Sequence, residues 1–355
     1  MDITNLHHVL ADEPKFRYAQ ANKALFQDFI SDWAEASNLP KPLREKLAEE
    51  CPLGIKAEVL ETARSHKSWK ALITLADGEV IETVLIRQNN DKKADGIKGQ
   101  EEQKSARNTA CVSSQAGCPL NCSFCATGMN GFRRNLSAEE IVEQVVFWSR
   151  YLKQGGKNEK IDNIVFMGMG EPFLNYEQFI KAVKFINNPE TLNIGARRLS
   201  VSTAGVLEGI KRLAGEKLQI NLAISLHAAN DELRRDLMPI AKKHSLYDLF
   251  KAVDNYIAKT GRRVMFEYLM IKGVNDRDED ARELAQLMKK PLYLANLIPY
   301  NPTGRFQASD RGRIAEFKKI LEGERVPVTV RLSFGADISA ACGQLAGKKK
   351  NQAAT

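Results

Sequence analysis

Three closely spaced cysteines, Cys118, Cys122 and Cys125, form a C-x3-C-x2-C run within Gly117-Cys118-Pro119-Leu120-Asn121-Cys122-Ser123-Phe124-Cys125. Iron–sulfur clusters are held by cysteine thiolates, usually one per iron. Three thiolates with no fourth nearby suit a four-iron cluster that keeps one iron open to a ligand that is not protein. Structural zinc is the competing reading. It wants four closed ligands, commonly as two separated pairs, and either Cys111 or His227 could be drafted as the fourth. A disulfide framework fits less well, because a 355-residue chain with only six cysteines does not need staples. Cys51 stands alone in the N-terminal segment and reads as a packed small hydrophobe.

The elements that must hold these residues show in the apolar rhythm. Strands are predicted at 109–114, 161–167, 197–203, 219–225, 264–271 and 293–298, with a last one at 327–333. Helices fall between them near 137–152, 176–187, 206–214, 246–260 and 277–289, and Ser137-Ala138-Glu139-Glu140 reads as a capping-box start. Repeated βα units imply a parallel sheet. Six of them fit a partial barrel better than a closed eightfold one.

Chemistry in such folds gathers at the carboxyl ends of the strands. The cysteine run follows the first strand, and Gly168-Met169-Gly170-Glu171-Pro172 follows the second. Ser202-Thr203-Ala204-Gly205 ends the third, Ser225-Leu226-His227 ends the fourth, and Pro299-Tyr300-Asn301-Pro302 follows the sixth. Each alone is explicable as turn chemistry. Together they aim at one rim.

Upstream, residues 1–65 read as a polar-amphipathic helical segment, with Phe26, Phe29, Ile30 and Trp33 at helical spacing. Trp69 to Ala76 alternates, Asp77-Gly78 supplies a tight turn, and Glu79 to Arg87 runs back as a hairpin. Gln88 to Arg107 is charged, nearly devoid of large apolar residues, and reads as a mobile loop. The expected organisation is a helical accessory domain at 1–65 and a hairpin with a charged loop at 66–108. A core at 109–300 and a C-terminal extension at 301–355 follow.

Hydrophobic content of 43% and charged content of 27% describe an ordinary soluble protein. No apolar run approaches a membrane helix, and the N-terminus lacks the basic start and apolar stretch of a signal peptide. The expectation is a cytoplasmic monomer, in a compartment where free thiols survive. The net charge of +8 favours a polyanionic partner such as RNA. Basic doublets such as Arg133-Arg134, Arg234-Arg235 and Arg262-Arg263 read one by one as solvated surface; with the charge they support RNA.

In this setting the triplet resembles the radical S-adenosylmethionine (SAM) superfamily. Longer stretches narrow the resemblance. Cys111-Val112-Ser113-Ser114-Gln115, Gly168-Met169-Gly170-Glu171-Pro172, Ser225-Leu226-His227-Ala228, Asn296-Leu297-Ile298-Pro299-Tyr300-Asn301-Pro302 and Ala340-Ala341-Cys342-Gly343-Gln344-Leu345 resemble the RlmN/Cfr adenosine methyltransferases. The resemblance implies an α/β fold, an open (β/α)6 partial barrel of the radical SAM type. It also implies a [4Fe–4S] cluster, SAM and an electron donor such as flavodoxin. The implied reaction is methylation of an adenosine in 23S rRNA, at the peptidyl transferase centre, and for RlmN also in tRNA.

Carried over position by position, Cys118, Cys122 and Cys125 become the cluster ligands. Gly170, Glu171, Ser202, Ser225, Leu226, His227 and Asn301 fall on SAM-contacting positions. Cys342 falls on the cysteine that becomes S-methylated, Cys111 on the second catalytic cysteine, and Glu82 on a proposed proton acceptor. Without that context, Cys111 and Cys342 read equally well as buried structural thiols. Pro172, Phe132 and Asn38-Leu39-Pro40 look like RlmN, which methylates C2. Phe334-Gly335 looks like Cfr, which methylates C8. The favoured expectation is C2. The alternatives are C8 methylation with antibiotic resistance, and a zinc-stabilised RNA-binding protein without catalysis.

The resemblance also implies a mechanism. Adenine C2 is an electron-poor carbon that cannot attack a methyl cation donor, whereas a cysteine thiolate can. Cys342 takes a methyl group from one SAM. A second SAM is cleaved at the open iron, the methyl on Cys342 loses a hydrogen atom, and its carbon adds to the adenine. Cys111 then supports proton removal and attacks the Cys342 sulfur, leaving a disulfide.

Overall fold

A computed structural model describes residues 3–61, 67–88, 107–156, 159–331 and 335–346. The charged stretch 89–106, the Cfr-like Phe334 and the basic tail from 347 lie outside the described residues. Among the described residues twelve strands are formed in chain order. They are β1 (Ala57–Glu61), β2 (Ser68–Thr74), β3 (Val80–Gln88), β4 (Arg107–Cys111), β5 (Gln115–Gly117) and β6 (Phe132–Asn135). Then come β7 (Asn163–Phe166), β8 (Leu199–Thr203), β9 (Asn221–Ser225), β10 (Val264–Met270), β11 (Tyr293–Pro299) and β12 (Val328–Val330).

From β4 the strands β7, β8, β9, β10, β11 and β12 follow side by side, all parallel. The register sets Cys111 opposite Val165, Ser202 opposite Ala223 and Glu267 opposite Ser225. The sheet does not close, so the barrel is open, as expected. The hairpin β2–β3, anticipated as a segment apart from the core, is part of the same sheet. β3 pairs antiparallel with β4, Val84 opposite Cys111, and β1 adds to β2, making ten strands in one sheet.

Local chemistry explains the main elements. Parallel strands buried on both faces read as continuous apolar runs; β10, Val-Met-Phe-Glu-Tyr-Leu-Met, is one, with Glu267 as its polar exception. Ser137 caps the helix Ala138–Gln154 with the full box: its hydroxyl accepts from Glu140 N, and Glu140 accepts from Ser137 N. The helix Leu246–Thr260 stops at Gly261, whose φ of 63° suits glycine.

The N-terminal segment departs from its expected helical reading. Its helix Lys15–Phe26 ends early, Phe29 turns left-handed at φ 51°, and Asp32 caps a short 3-10 turn at Trp33–Glu35. Phe26, Ile30 and Trp33 are buried all the same. The spacing recorded which residues face the core, and that survives a break in the helix. Residues 57–61, also within the segment expected to be helical, form edge strand β1. Phe26 packs edge-on to Phe185, and Arg150 donates to Leu53 O, so the N-terminal helices share the barrel's core.

Candidate active site

β5 and β6 pair as a small ribbon, and the cysteine run fills the loop between them. Gly117 holds φ 77°, and Cys118 N bonds Gly131 O, which closes the base of this loop. Ser123 N and Oγ both donate to Leu237 O, at 2.9 and 3.3 Å. Cys118, Cys122 and Cys125 line one cavity with about 890 Å³ of empty space, part of it open to solvent. Gly168, Gly170, Glu171, Ser202, Ser225 and His227 line it too, from the ends of β7, β8 and β9. Leu226 and Asn301 are buried and do not line it. Asn301 Nδ2 donates to Cys342 O at 3.4 Å.

Glu171 is a buried acid held on both carboxylate oxygens. Its Oε2 accepts from Ala204 N at 2.8 Å and its Oε1 from Phe173 N at 3.1 Å. Burial outweighs those bonds and pushes its pKa up to about 7. Gly170 before it needs φ 94°, and a Cβ there would sit 2.5 Å from Gln115 Cβ. His227 is also left-handed, at φ 59°. Its Nδ1 accepts from Leu269 N at 3.2 Å, which leaves the proton on Nε2. Burial, with Arg234 nearby, pulls its pKa down to about 3, so the ring is neutral.

The C-terminal segment Gly335–Ala346 is strapped across the cysteine loop. Ala126 N donates to Gly343 O at 2.8 Å, Thr127 Oγ1 to Leu345 O at 2.6 Å, and Asn130 Nδ2 to Ala346 O at 3.0 Å. Cys342, more than two hundred residues after the triplet, thereby lines the same cavity. It also lines a second recess together with Cys111 at the end of β4. Met167, Ile298, Arg331 and Cys342 border both spaces, so the two adjoin. Burial and the neighbouring Cys342 push the Cys111 thiol up to about 12, with Arg331 opposing. Among the described residues, which include all six cysteines, no disulfide is formed.

Glu82 is not drawn into either recess. It is buried, 3.6 Å from Lys70 Nζ, and its Oε2 accepts from Ala346 N at 3.3 Å. Two residues that the motifs did not single out do reach the site. Glu267, at the centre of β10, accepts from Ser202 Oγ at 2.6 Å and from Arg331 at 3.2 Å. A lone charge inside an apolar parallel strand was the sequence signal for it. Arg331, just after β12, lies close enough to feel the charge of Cys342 first and of Cys111 as well.

The donor set fits an iron–sulfur cluster. Burial raises the pKa of Cys118 to about 12 and that of Cys122 well above its usual value, with the neighbouring cysteines adding to both. Burial alone keeps these groups protonated, so a cationic metal centre is what would hold them as thiolates. Among the described residues no group of three or more His, Cys, Asp or Glu is gathered for a single metal ion. Thiolates on a cubane each bind a different iron and stand farther apart than ligands of one zinc.

Comparison with known proteins agrees. The profile of the radical SAM superfamily matches residues 112–285. A probable dual-specificity RNA methyltransferase RlmN from Symbiobacterium thermophilum is 41% identical over 358 residues, spanning 99% of this chain and 91% of its own. Its namesake from Dictyoglomus thermophilum is 43% identical over 349 residues, spanning 97% and 94%. The crystal structure of a radical SAM methyltransferase from Sphaerobacter thermophilus superposes with a TM-score of 0.87 at 41% identity, covering 98% of each chain.

Fold and site thus define a radical SAM protein, whose cofactors are a [4Fe–4S] cluster and SAM. More narrowly, the chain belongs to the RlmN family of radical SAM methyltransferases.

Proposed function

We propose that this chain methylates C2 of an adenosine in 23S rRNA and in tRNA, through a methyl group carried on Cys342. The observation that carries the reading is the position of Cys342 on the border between two spaces. One holds the cysteine triplet and the other holds Cys111. A single thiol can thus face the cofactor on one side and a second cysteine on the other.

Cys118, Cys122 and Cys125 would hold the cluster, which when bound supplies the electron that makes SAM reactive. Glu171 offers its carboxylate to the cofactor's amino group, while Ser202 and Ser225 present hydroxyls from adjacent strands 3.2 Å apart. Neutral His227 presents an N–H at Nε2. Arg331, fixed by Glu267, places a positive charge beside Cys342 and Cys111 and opposes the burial that keeps the Cys111 thiol protonated. Once the methyl carbon has joined the adenine, attack of Cys111 on the Cys342 sulfur would break the sulfur–carbon bond of that adduct; the carbon keeps the bonding pair, takes up a proton as the product methyl, and the two cysteines are left joined as a disulfide. Glu82 acts on the strap that carries Cys342, through Ala346.

RNA is attracted by the net charge of +8. The N-terminal helices Ile3–Val9, Lys15–Phe26 and Lys41–Glu50 serve as an accessory RNA-contacting unit. Among the described residues no helix is long and apolar enough to cross a membrane. We place the enzyme in the cytoplasm as a monomer, reduced by a flavodoxin-like donor. Mass analysis of nucleosides from RNA treated with the reconstituted protein and SAM tests the reading. It expects 2-methyladenosine; 8-methyladenosine would move the chain to the Cfr reaction, and no methylated adenosine would overturn both.

A further inference from the structure

Arg234 is one of the largest fully buried side chains, only 1% exposed. In sequence it looked like half of a surface doublet with Arg235. It lies instead under the cofactor cavity, in the helix Asp231–Leu237. Its guanidinium donates to Ala204 O at 2.8 Å, to Leu226 O at 3.2 Å and to Ser225 O at 3.4 Å. Among the described residues no carboxylate pairs with it; Asp231 acts only at longer range. A buried cation without a counter-ion is costly. Burial pulls its pKa down to about 10, still high enough to keep it charged at neutral pH.

The same helix touches the cysteine loop. Leu237, one turn after Arg234, accepts both hydrogen bonds from Ser123, the neighbour of Cys122. Cys122 also packs in one apolar cluster with Leu237 and Met238. The Cys122 thiol and the Arg234 guanidinium each feel the other's charge. The missing counter-ion is therefore to be sought on the cysteine side.

We propose that Arg234 is a positioning and tuning residue whose counter-ion is the anionic cluster held by the triplet, and that its charge raises the cluster's reduction potential. The inference rests on the cluster assignment of Cys118, Cys122 and Cys125. Its logic is electrostatic: reduction adds one negative charge to the cluster, and a fixed cation in a poorly screened interior favours the reduced form. Arg234 acts through Cys122 and the loop, without touching SAM or RNA.

The test compares wild type with Arg234→Lys, Arg234→Gln and Arg234→Met after anaerobic loading with iron and sulfide. Iron and sulfide content is checked first, and the midpoint potential is then read by redox titration followed by electron paramagnetic resonance. The Gln and Met variants should show a more negative midpoint, and the Lys variant one close to wild type. An unchanged midpoint in both neutral variants with full clusters overturns the proposal, as does an equal shift in the Lys variant. Suppose both neutral variants lose the cluster. If the Lys variant keeps it and the cluster-free thermal transitions match, the charge role stands; loss in all three overturns it. A wild type that takes up no iron refutes the cluster assignment itself, and this inference falls with it.

Discussion

Between pH of about 6 and about 8, the group in the cofactor cavity expected to change its charge is Glu171. Its backbone bonds from Ala204 and Phe173 favour the carboxylate, but complete burial raises its pKa to about 7. The ionised fraction then climbs from about one tenth to about nine tenths across that range. If SAM is bound through the carboxylate form, apparent affinity rises about tenfold, or about 1.4 kcal/mol. The amine of SAM titrates as well, so the quantity to read is the ratio of wild-type affinity to that of Glu171→Gln. The ligand's own titration is common to both proteins and cancels. Calorimetric titration of SAM into anaerobically loaded protein supplies both numbers. A ratio that stays flat from pH 6 to 8 would refute the reasoning. Stability runs the other way: the folded pKa lies above the usual 4.5. The stabilising contribution of the protonated acid is full below about 4.5 and is lost as pH rises through about 7.

Cys342→Ala should give no methylated adenosine and no RNA crosslink, while Cys111→Ala should trap RNA on the protein, read by denaturing gel. Equal loss in both with no adduct in either would argue against separate roles. Gly170→Ala would push a Cβ to within 2.5 Å of Gln115 Cβ at a φ of 94°. It should cost about 1–3 kcal/mol in thermal or denaturant unfolding and weaken SAM binding. Glu82→Gln leaves Lys70 buried without its charge partner, and the loss should be about 3 kcal/mol. Adding Lys70→Met should recover most of that, and a double variant no more stable than the single one would remove the ion pair from the explanation.

Local signals were the legible ones. The capping box at Ser137 and the Asp77-Gly78 turn each depend on residues a few positions apart, and both formed where the sequence put them. The ends of β8 and β9 were legible because apolar runs stop at polar residues there, and that of β7 because the glycines Gly168 and Gly170 follow it. Short strands such as β5 and β6 escaped because three or four residues carry no period. The helices Asp231–Leu237 and Arg311–Gly323 were also missed. Arg234 was hidden for a different reason. An arginine next to an arginine looks solvated until three carbonyls from the ends of β8 and β9 close around it, and those carbonyls are neighbours only in the folded sheet. The closeness of Cys342 to Cys111 was likewise invisible to spacing, since the strap that joins them is held from outside its own sequence.

That strap ties the position of Cys342 to the cysteine loop. Its hydrogen bonds to Ala126, Thr127 and Asn130 fall immediately after the last cysteine of the triplet. On the other side Lys70 Nζ reaches Ser339 O at 3.3 Å, and Glu82 receives Ala346 N. Cys342 therefore hangs between the cysteine loop and the hairpin β2–β3, with Asn301 on its carbonyl. Any group that orders the cysteine loop orders the strap through these same three bonds. On the proposed reading, a methyl group carried on Cys342 is set for reaction when the loop is loaded.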